Sequence, residues 1–296
     1  MVAYICPLYD MKNHFNLGKE LAESKLDNNV NGDLYFVFSD VKQQIKFFDM
    51  LGNDACAFKY LIIPNKYCLY KSIVTAKKFY ALERLMNEYD YLVTLDSESR
   101  FIRNFDSDLI CETIWNNHNT LVANKSYDGF FIQRVCYKTM DIYNNKRLKE
   151  ETEDYLYNIW FNEIPVYKSD LLIKFFKWLN KFNIDRILNE WLCFDYYIFA
   201  AYLIIEEGWT IKKINRYSFG GINEYLFKFS EKTKILNELE THWTSDLDSI
   251  NENICIVFHL DRINDVNEYA DFSLKNKLLL LMKRYLYLLK DKICNI

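Results

Sequence analysis

Asp96 and Glu98 stand one residue apart at the end of an apolar, β-branched run, Tyr91 to Leu95, in the stretch YDYLVTLDSESRF. Such a run predicts a buried strand feeding a polar edge. Side chains alternate along a strand, so the two carboxylates project to one side if the extended conformation persists through Ser97. Two hard oxygen donors at the carboxyl end of a central strand are what a divalent cation needs when it must also hold a diphosphate. The same pair also reads as an ordinary solvated strand end.

A second acid stands out by its setting. Asp195 lies inside the apolar segment WLCFDYYIF, where a carboxylate without a partner is costly, so it must meet a partner or face a cleft. On the residues alone it reads as an acid paired with a buried tyrosine, arginine or backbone group. Glu190, near the predicted start of the same helix, has a structural use at a helix N-terminus. His259, one of four histidines, follows the apolar run ICIVF and on the residues alone reads as a hydrogen-bonded structural histidine.

The elements that must position these groups alternate. Val2 to Cys6 predicts a strand closed by Pro7, Phe15 to Leu26 a helix, and Leu34 to Phe38 a strand ending at Ser39 and Asp40. Val41 to Leu51 predicts a helix, Phe58 to Ile63 a strand stopped by Pro64, and Ser72 caps a helix running to about Tyr89. The buried stripe expected on that helix is Ile73, Ala76, Phe79 or Tyr80, Leu82 and Met86. Strands alternating with amphipathic helices argue for a mostly parallel sheet with helices on both faces. Ligands of such sheets bind outside the carboxyl ends of the strands, where Tyr9, Asp10, Ser39, Asp40, Asp96 and Glu98 fall.

The second half is less regular. Thr120 to Asn124 predicts a strand, Phe130 to Asn144 a helix, and Ser169 or Asp170 caps a helix carrying Phe175, Phe176, Trp178 and Leu179. Asn189 is the expected cap of a helix from Glu190 to Glu207 closed by Gly208. Trp209 to Ile214 and Ile254 to Phe258 predict further strands. Between them, the loop Ser218 to Glu224 carries Gly220 and Gly221, and Trp243 offers a ring that either stacks on a sugar or packs in a core.

Composition sets the outer limits. The 296 residues are half hydrophobic and 17% aromatic, which excludes disorder and allows a sizeable core. A formal net charge of −4 leaves no general footprint for nucleic acid. Eight cysteines, at 6, 56, 68, 111, 136, 193, 255 and 294, are scattered without a CxxC pair. That favours reduced thiols in a cytoplasmic protein over a disulfide framework. No signal peptide opens the chain and no apolar run matches a membrane span. Ser273 to Lys292 predicts a helix of mixed character, with six Lys or Arg against one Asp. Leu280 and Tyr287 fall among Lys283, Arg284 and Lys290 on its projection, which suits an anionic membrane surface, or a docking helix that pairs with a second copy of the chain.

The order of ICPLYD, FSD, KKFYALERLMNEYDYLVTLDSE, WLCFDYYIF and VFHLDR resembles bacterial GT-A glycosyltransferases that build surface polysaccharides from nucleotide sugars. The resemblance covers architecture and motif order over roughly residues 2 to 262. It implies an α/β, Rossmann-like GT-A domain over 1–265, followed by the basic, apolar helix within 266–296. The family's DxD appears here as Asp96-Ser97-Glu98, with a longer second carboxylate. By resemblance, Asp96 and Glu98, with His259, hold Mn²⁺ or Mg²⁺ against the diphosphate of a UDP-sugar donor. Tyr9 and Asp40 then meet base and ribose, Lys77 reaches phosphate or base, Ser39 and Ser97 join the donor-binding set, and Asp195 or Glu190 takes the proton of the acceptor hydroxyl. The implied partners are the nucleotide sugar and a glycan or lipid-linked glycan acceptor such as lipooligosaccharide or capsule, at the inner face of the cytoplasmic membrane. On the residues alone, Tyr9 also reads as core edge, Asp40 as a helix cap and Lys77 as a solvated face. The alternative from another class is a nucleotide-sugar or glycan-binding module without turnover. A metal-assisted hydrolase ranks last, for want of further ligands at that edge.

Overall fold

The computed structural model describes residues 1–9, 14–101, 104–116, 119–126, 141–158, 165–189, 194–218 and 255–257. Strand β1 (Val2–Pro7) is buried along its whole length and is the middle of a five-stranded sheet. Helix α1 (His14–Asp27) buries Phe15, Gly18, Leu21 and Ala22, a spacing of three and four that marks one helical face. Gly18 lets this helix approach the end of β1, since a Cβ there would come within 2.7 Å of a Leu8 methyl. Then follow β2 (Asp33–Phe38), α2 (Val41–Leu51), β3 (Lys59–Ile62), α3 (Ile73–Leu85) and β4 (Tyr91–Thr94).

β1 pairs in parallel with β2 on one side and with β4 on the other, and β2 pairs in parallel with β3. The sheet order is therefore β3-β2-β1-β4-β8, with β8 (Val166–Lys168) antiparallel on β4. The fold is α/β, a mostly parallel mixed sheet flanked by helices. The chain winds outward from β1 to β3, then returns to the other side of β1 as β4. That reversal is a topological switch point between the carboxyl ends of β1 and β4.

Aromatic rings fill the space under the first half, where Phe15, Phe36, Phe38, Phe47 and Phe48 meet edge to face or tilted. On the other side, α3 is buried well beyond the stripe expected of it. Thr75, Ala76, Lys77, Lys78, Phe79, Ala81, Leu82 and Leu85 are all buried. The helix lies between the sheet and helices from the second half of the chain, Ser169–Leu179, Ile184–Leu188 and Asp195–Ile205.

The described part of the second half departs from expectation in several places: Ser169 and Asp170, expected as caps, lie inside the helix Ser169–Leu179, and Lys168 stands at its cap position without a side-chain cap. The helix expected from Glu190 begins at Asp195, and Asn189 instead follows the short helix Ile184–Leu188, which Asn183 caps by accepting from Arg186 N at 3.0 Å. The helix Asp195–Ile205 is buried at every position but its last, which is why its sequence is apolar all round and shows little amphipathic spacing. It is followed, as expected, by Gly208 at φ +79°. The described end of the helix predicted at 130–144, Asp141–Asn144, is a 3₁₀ turn. Strands β6 (Thr120–Ser126) and β9 (Thr210–Ser218) pair in parallel in a second sheet with β7 (Tyr157–Asn158). Strand β10 (Cys255–Val257) pairs antiparallel with β5 (Ser99–Phe101). Asp10, Glu190, Trp243, His259, the 219–224 loop and the 273–292 segment lie outside the described residues. Among the described residues, no helix is long and apolar enough to cross a membrane.

Candidate functional site

At the switch point β1 runs on into Leu8, whose N–H donates to Val37 O at 3.0 Å, and β4 runs on into Leu95, whose N–H donates to Ile5 O at 2.8 Å. Asp96 follows at once. The chain then turns, with Ser99 N donating to Asp96 O at 2.9 Å, where continued extension was the condition for aligning the two carboxylates. The two carboxylates then differ in exposure: the Asp96 side chain is half exposed, whereas Glu98 is 7% exposed. Arg100 clamps the turn by donating to Ser97 O at 2.9 Å and Ser99 O at 2.6 Å, and pairs with Glu20 of α1. Ser97 Oγ lies 3.1 Å from His14 Nδ1, so the first residue of α1 also holds the turn.

Two adjacent lysines of α3 straddle the switch point. Successive helix residues point roughly 100° apart, which sends Lys77 to the β1 side and Lys78 to the β4 side. Lys77 is fully buried, donates to Leu8 O, and lies 4.5 Å from the centroid of the Tyr9 ring. It is not the solvated face its sequence position allows. Burial pulls its pKa down to about 8, against the pull of Cys68, Cys6 and Asp40. The Tyr9 ring meets the His14 ring edge to face at 5.5 Å, and its buried hydroxyl has no hydrogen-bond partner among the described residues. Burial pushes that phenol up.

Lys78 sits between two acids, with Nζ 3.1 Å from Asp96 Oδ1 and 3.5 Å from Asp195 Oδ1. It is 8% exposed. Burial alone would lower this ammonium, but the Asp195 and Asp96 carboxylates override burial and hold its pKa above the usual lysine range. Asp195 is the first residue of its helix and 4% exposed. Its Oδ2 accepts from Tyr167 OH at 2.5 Å and Thr94 Oγ1 at 3.3 Å. Burial, then Asp195, pushes the Tyr167 phenol well above its ordinary value. The helix N-terminus adds a favourable dipole for a carboxylate there. Strand β4, strand β8, α3 and the Asp195 helix thus converge on one acid, and both its oxygens are engaged.

No family profile matches the sequence, and no curated protein matches it. Among solved structures the chain is similar to residues 1–349 of S. aureus TarS, with 14% identity, 81% of this chain and 67% of that chain covered, and a TM-score of 0.39. The TarS complex with UDP aligns with 16% identity over the same shares at a TM-score of 0.38. Mouse xyloside xylosyltransferase 1 in its apo form aligns with 10% identity, 72% of this chain, 85% of that chain and a TM-score of 0.38. These likenesses are too loose to assign the chain to a family.

Of the residues singled out in the sequence, the structure sets Tyr9, Lys77, Asp96, Ser97 and Asp195 around the carboxyl ends of β1 and β4. Ser39 and Asp40 stand past β2, where Asp40 Oδ1 caps α2 by accepting from Gln43 N at 2.9 Å and Ser39 N donates to Gln43 Oε1 at 3.3 Å. Lys78, Tyr167, Thr94 and His14 escaped sequence reading. The signal for Lys78 was indirect: an acid in so apolar a segment as WLCFDYYIF demands a partner, and the KKFY helix supplies an ammonium.

A divalent ion, which the family resemblance implies, can be tested against these donors. Among the described residues, no cluster of three or more His, Cys, Asp or Glu could hold a metal by itself. Asp96 nevertheless offers a half-exposed hard oxygen ligand at the binding edge. Mg²⁺-type ions commonly use one or two carboxylates plus substrate phosphates, so the donor set fits a cation that arrives with phosphate.

Proposed function

We propose that the chain is a metal-assisted GT-A glycosyltransferase. In this reading it moves a sugar from a nucleoside diphosphate, UDP above the others, to a glycan or lipid-linked glycan acceptor of a bacterial surface polysaccharide. The observation that carries the reading is the meeting of Asp96 and Lys78 beyond β4 at the switch point, a hard oxygen donor and a buried ammonium at the place where α/β sheets bind phosphorylated ligands. Asp96 would hold Mn²⁺ or Mg²⁺, with Glu98 and His259 as the further ligands that the resemblance implies. When bound, that ion supplies a Lewis acid for the charge gathering on the leaving diphosphate.

The chain's own residues prepare the ground. Arg100 and His14 hold the turn that presents Asp96. Lys77 and Lys78 set ammonium groups on the two sides of the switch point, and a diphosphate carried in with the ion would accept hydrogen bonds from Lys78 as the sugar bond breaks. Tyr9, Ser39 and Asp40 border the β1 and β2 side and are assigned to the base and ribose. Asp195, with both oxygens engaged, acts as an anchor in this reading. Glu190 is the other candidate for the acceptor proton. The basic, apolar 273–292 segment suits work at the inner face of the cytoplasmic membrane on a lipid-linked acceptor.

Titration calorimetry tests the donor. UDP should bind with Mn²⁺ and weaken sharply without it, and no binding of any nucleoside diphosphate sinks the assignment. Asp96→Asn should then lower donor turnover by about 10²-fold or more with an unchanged circular dichroism spectrum. A binding module without turnover is favoured by one observation, the full engagement of Asp195, which takes away one candidate base. Whether a bound UDP-sugar is consumed separates the two readings.

A further inference from the structure

An ammonium between two carboxylates is a cation already in residence. The two oxygens facing Lys78 Nζ, at 3.1 and 3.5 Å, belong to an acid reached from solvent, Asp96, and an acid fixed in the interior, Asp195. Asp195 cannot follow a departing partner, because Tyr167 and Thr94 hold its other oxygen. Lys78 cannot simply swing into water, because its stem is packed in a helix buried on nearly every side. The ammonium therefore stays where a bare metal ion at Asp96 would have to come close to it.

The charges decide what can enter. One ammonium against two carboxylates leaves a single formal negative charge, so a free divalent ion would make the cluster positive inside a poorly screened site. The diphosphate of a nucleotide sugar carries two negative charges, which cancel those of the ion and leave the cluster at its single negative charge, and it accepts hydrogen bonds from the lysine. We infer that Lys78 is a resident cation that turns away a free divalent ion at Asp96 and admits one only as its complex with a diphosphate. The inference rests on Asp96 as the metal-bearing carboxylate, and makes Lys78 a residue that determines metal specificity.

Mn²⁺ alone is the probe, followed by electron paramagnetic resonance of the free ion and by thermal shift, with no nucleotide and no turnover required. Wild type should bind Mn²⁺ alone weakly. Lys78→Gln should bind it about 10-fold tighter or more, since two carboxylates then face one vacated position. Adding Asp195→Asn to Lys78→Gln should remove the gain, and Lys78→Arg should restore wild-type behaviour. Equal Mn²⁺ affinity in wild type and Lys78→Gln overturns the inference, as does a gain that survives Asp195→Asn. Should Lys78→Gln fold only with Mn²⁺ present, the ion is taking the lysine's place, as expected. The wild-type arm also stands by itself: Mn²⁺ bound as tightly without UDP as with it would overturn the inference. Failure of wild type to bind any nucleoside diphosphate would sink the donor assignment instead, and would leave the metal-only comparison of the variants intact.

Discussion

An Asp–Lys–Tyr set occurs at each end of the sheet. At the amino end, Lys59 reaches Asp33 at 2.8 Å and Tyr89 OH donates to the same carboxylate at 2.5 Å. At the carboxyl end, Lys78 and Tyr167 do the same to Asp195. The chemistry is alike and the surroundings are opposite. Lys59 and Asp33 are 50% and 40% exposed at the side chain, against 11% and 6% for Lys78 and Asp195. Water and salt screen the first set, so it amounts to a strand-end clasp. The second is largely buried, stands at the switch point, and carries an additional, half-exposed acid, Asp96. Position relative to the strand direction and to water, and not residue type, separates a fastening from a candidate site.

The comparison can be pressed hardest by neutralising each acid. Asp195→Asn leaves Lys78 with only the half-exposed Asp96, and should cost about 3 kcal/mol in urea unfolding, the scale for breaking a buried ion pair. A loss below about 1 kcal/mol would mean the buried set is no firmer than a surface pair. A middle effect comes from Lys77, a buried lysine that among the described residues has no carboxylate in hydrogen-bond contact. Its folded pKa of about 8 lies below the unfolded value near 10.5. Between these values the unfolded chain binds the extra proton, so this residue's penalty is full below pH 8 and relaxes as pH rises toward 10.5. Stability contributed through Lys77 should therefore rise across that window, and Lys77→Met should flatten the rise. An unchanged slope would place the ammonium in water. The smallest effect belongs to Asp33→Asn, at most about 1 kcal/mol and reduced further by salt. If it equalled Asp195→Asn, burial would not be what distinguishes the two ends.

Much of the first half was legible from local pattern. Strand ends at Pro7, Ser39 and Asp96 fell where proline or polar residues interrupt apolar runs, and the α/β alternation followed. Asp195 was legible as an acid in need of a partner. The partner was not, because Lys78 and Asp195 are far apart in sequence and nothing local links them. The turn at Ser97 and Glu98 escaped for a different reason. Its residues suit either an extended or a turned backbone, and the clamp by Arg100 and His14 decides between them. Asn189 misled because asparagine serves either end of a helix, and here the short helix before it took the residue.

The helix that starts at Asp195 has a consequence for the order in which the molecule is made. Lys78 and Asp96 both belong to the part of the chain that leaves the ribosome first, and they can meet as soon as β4 joins β1. Asp195 emerges later, together with the apolar helix that carries it over α3. Until that helix docks, Lys78 has one carboxylate and an open flank. Its arrival closes the flank and completes the charge cluster in the same event, so a chain truncated before residue 195 would keep the acidic turn and lack the finished site.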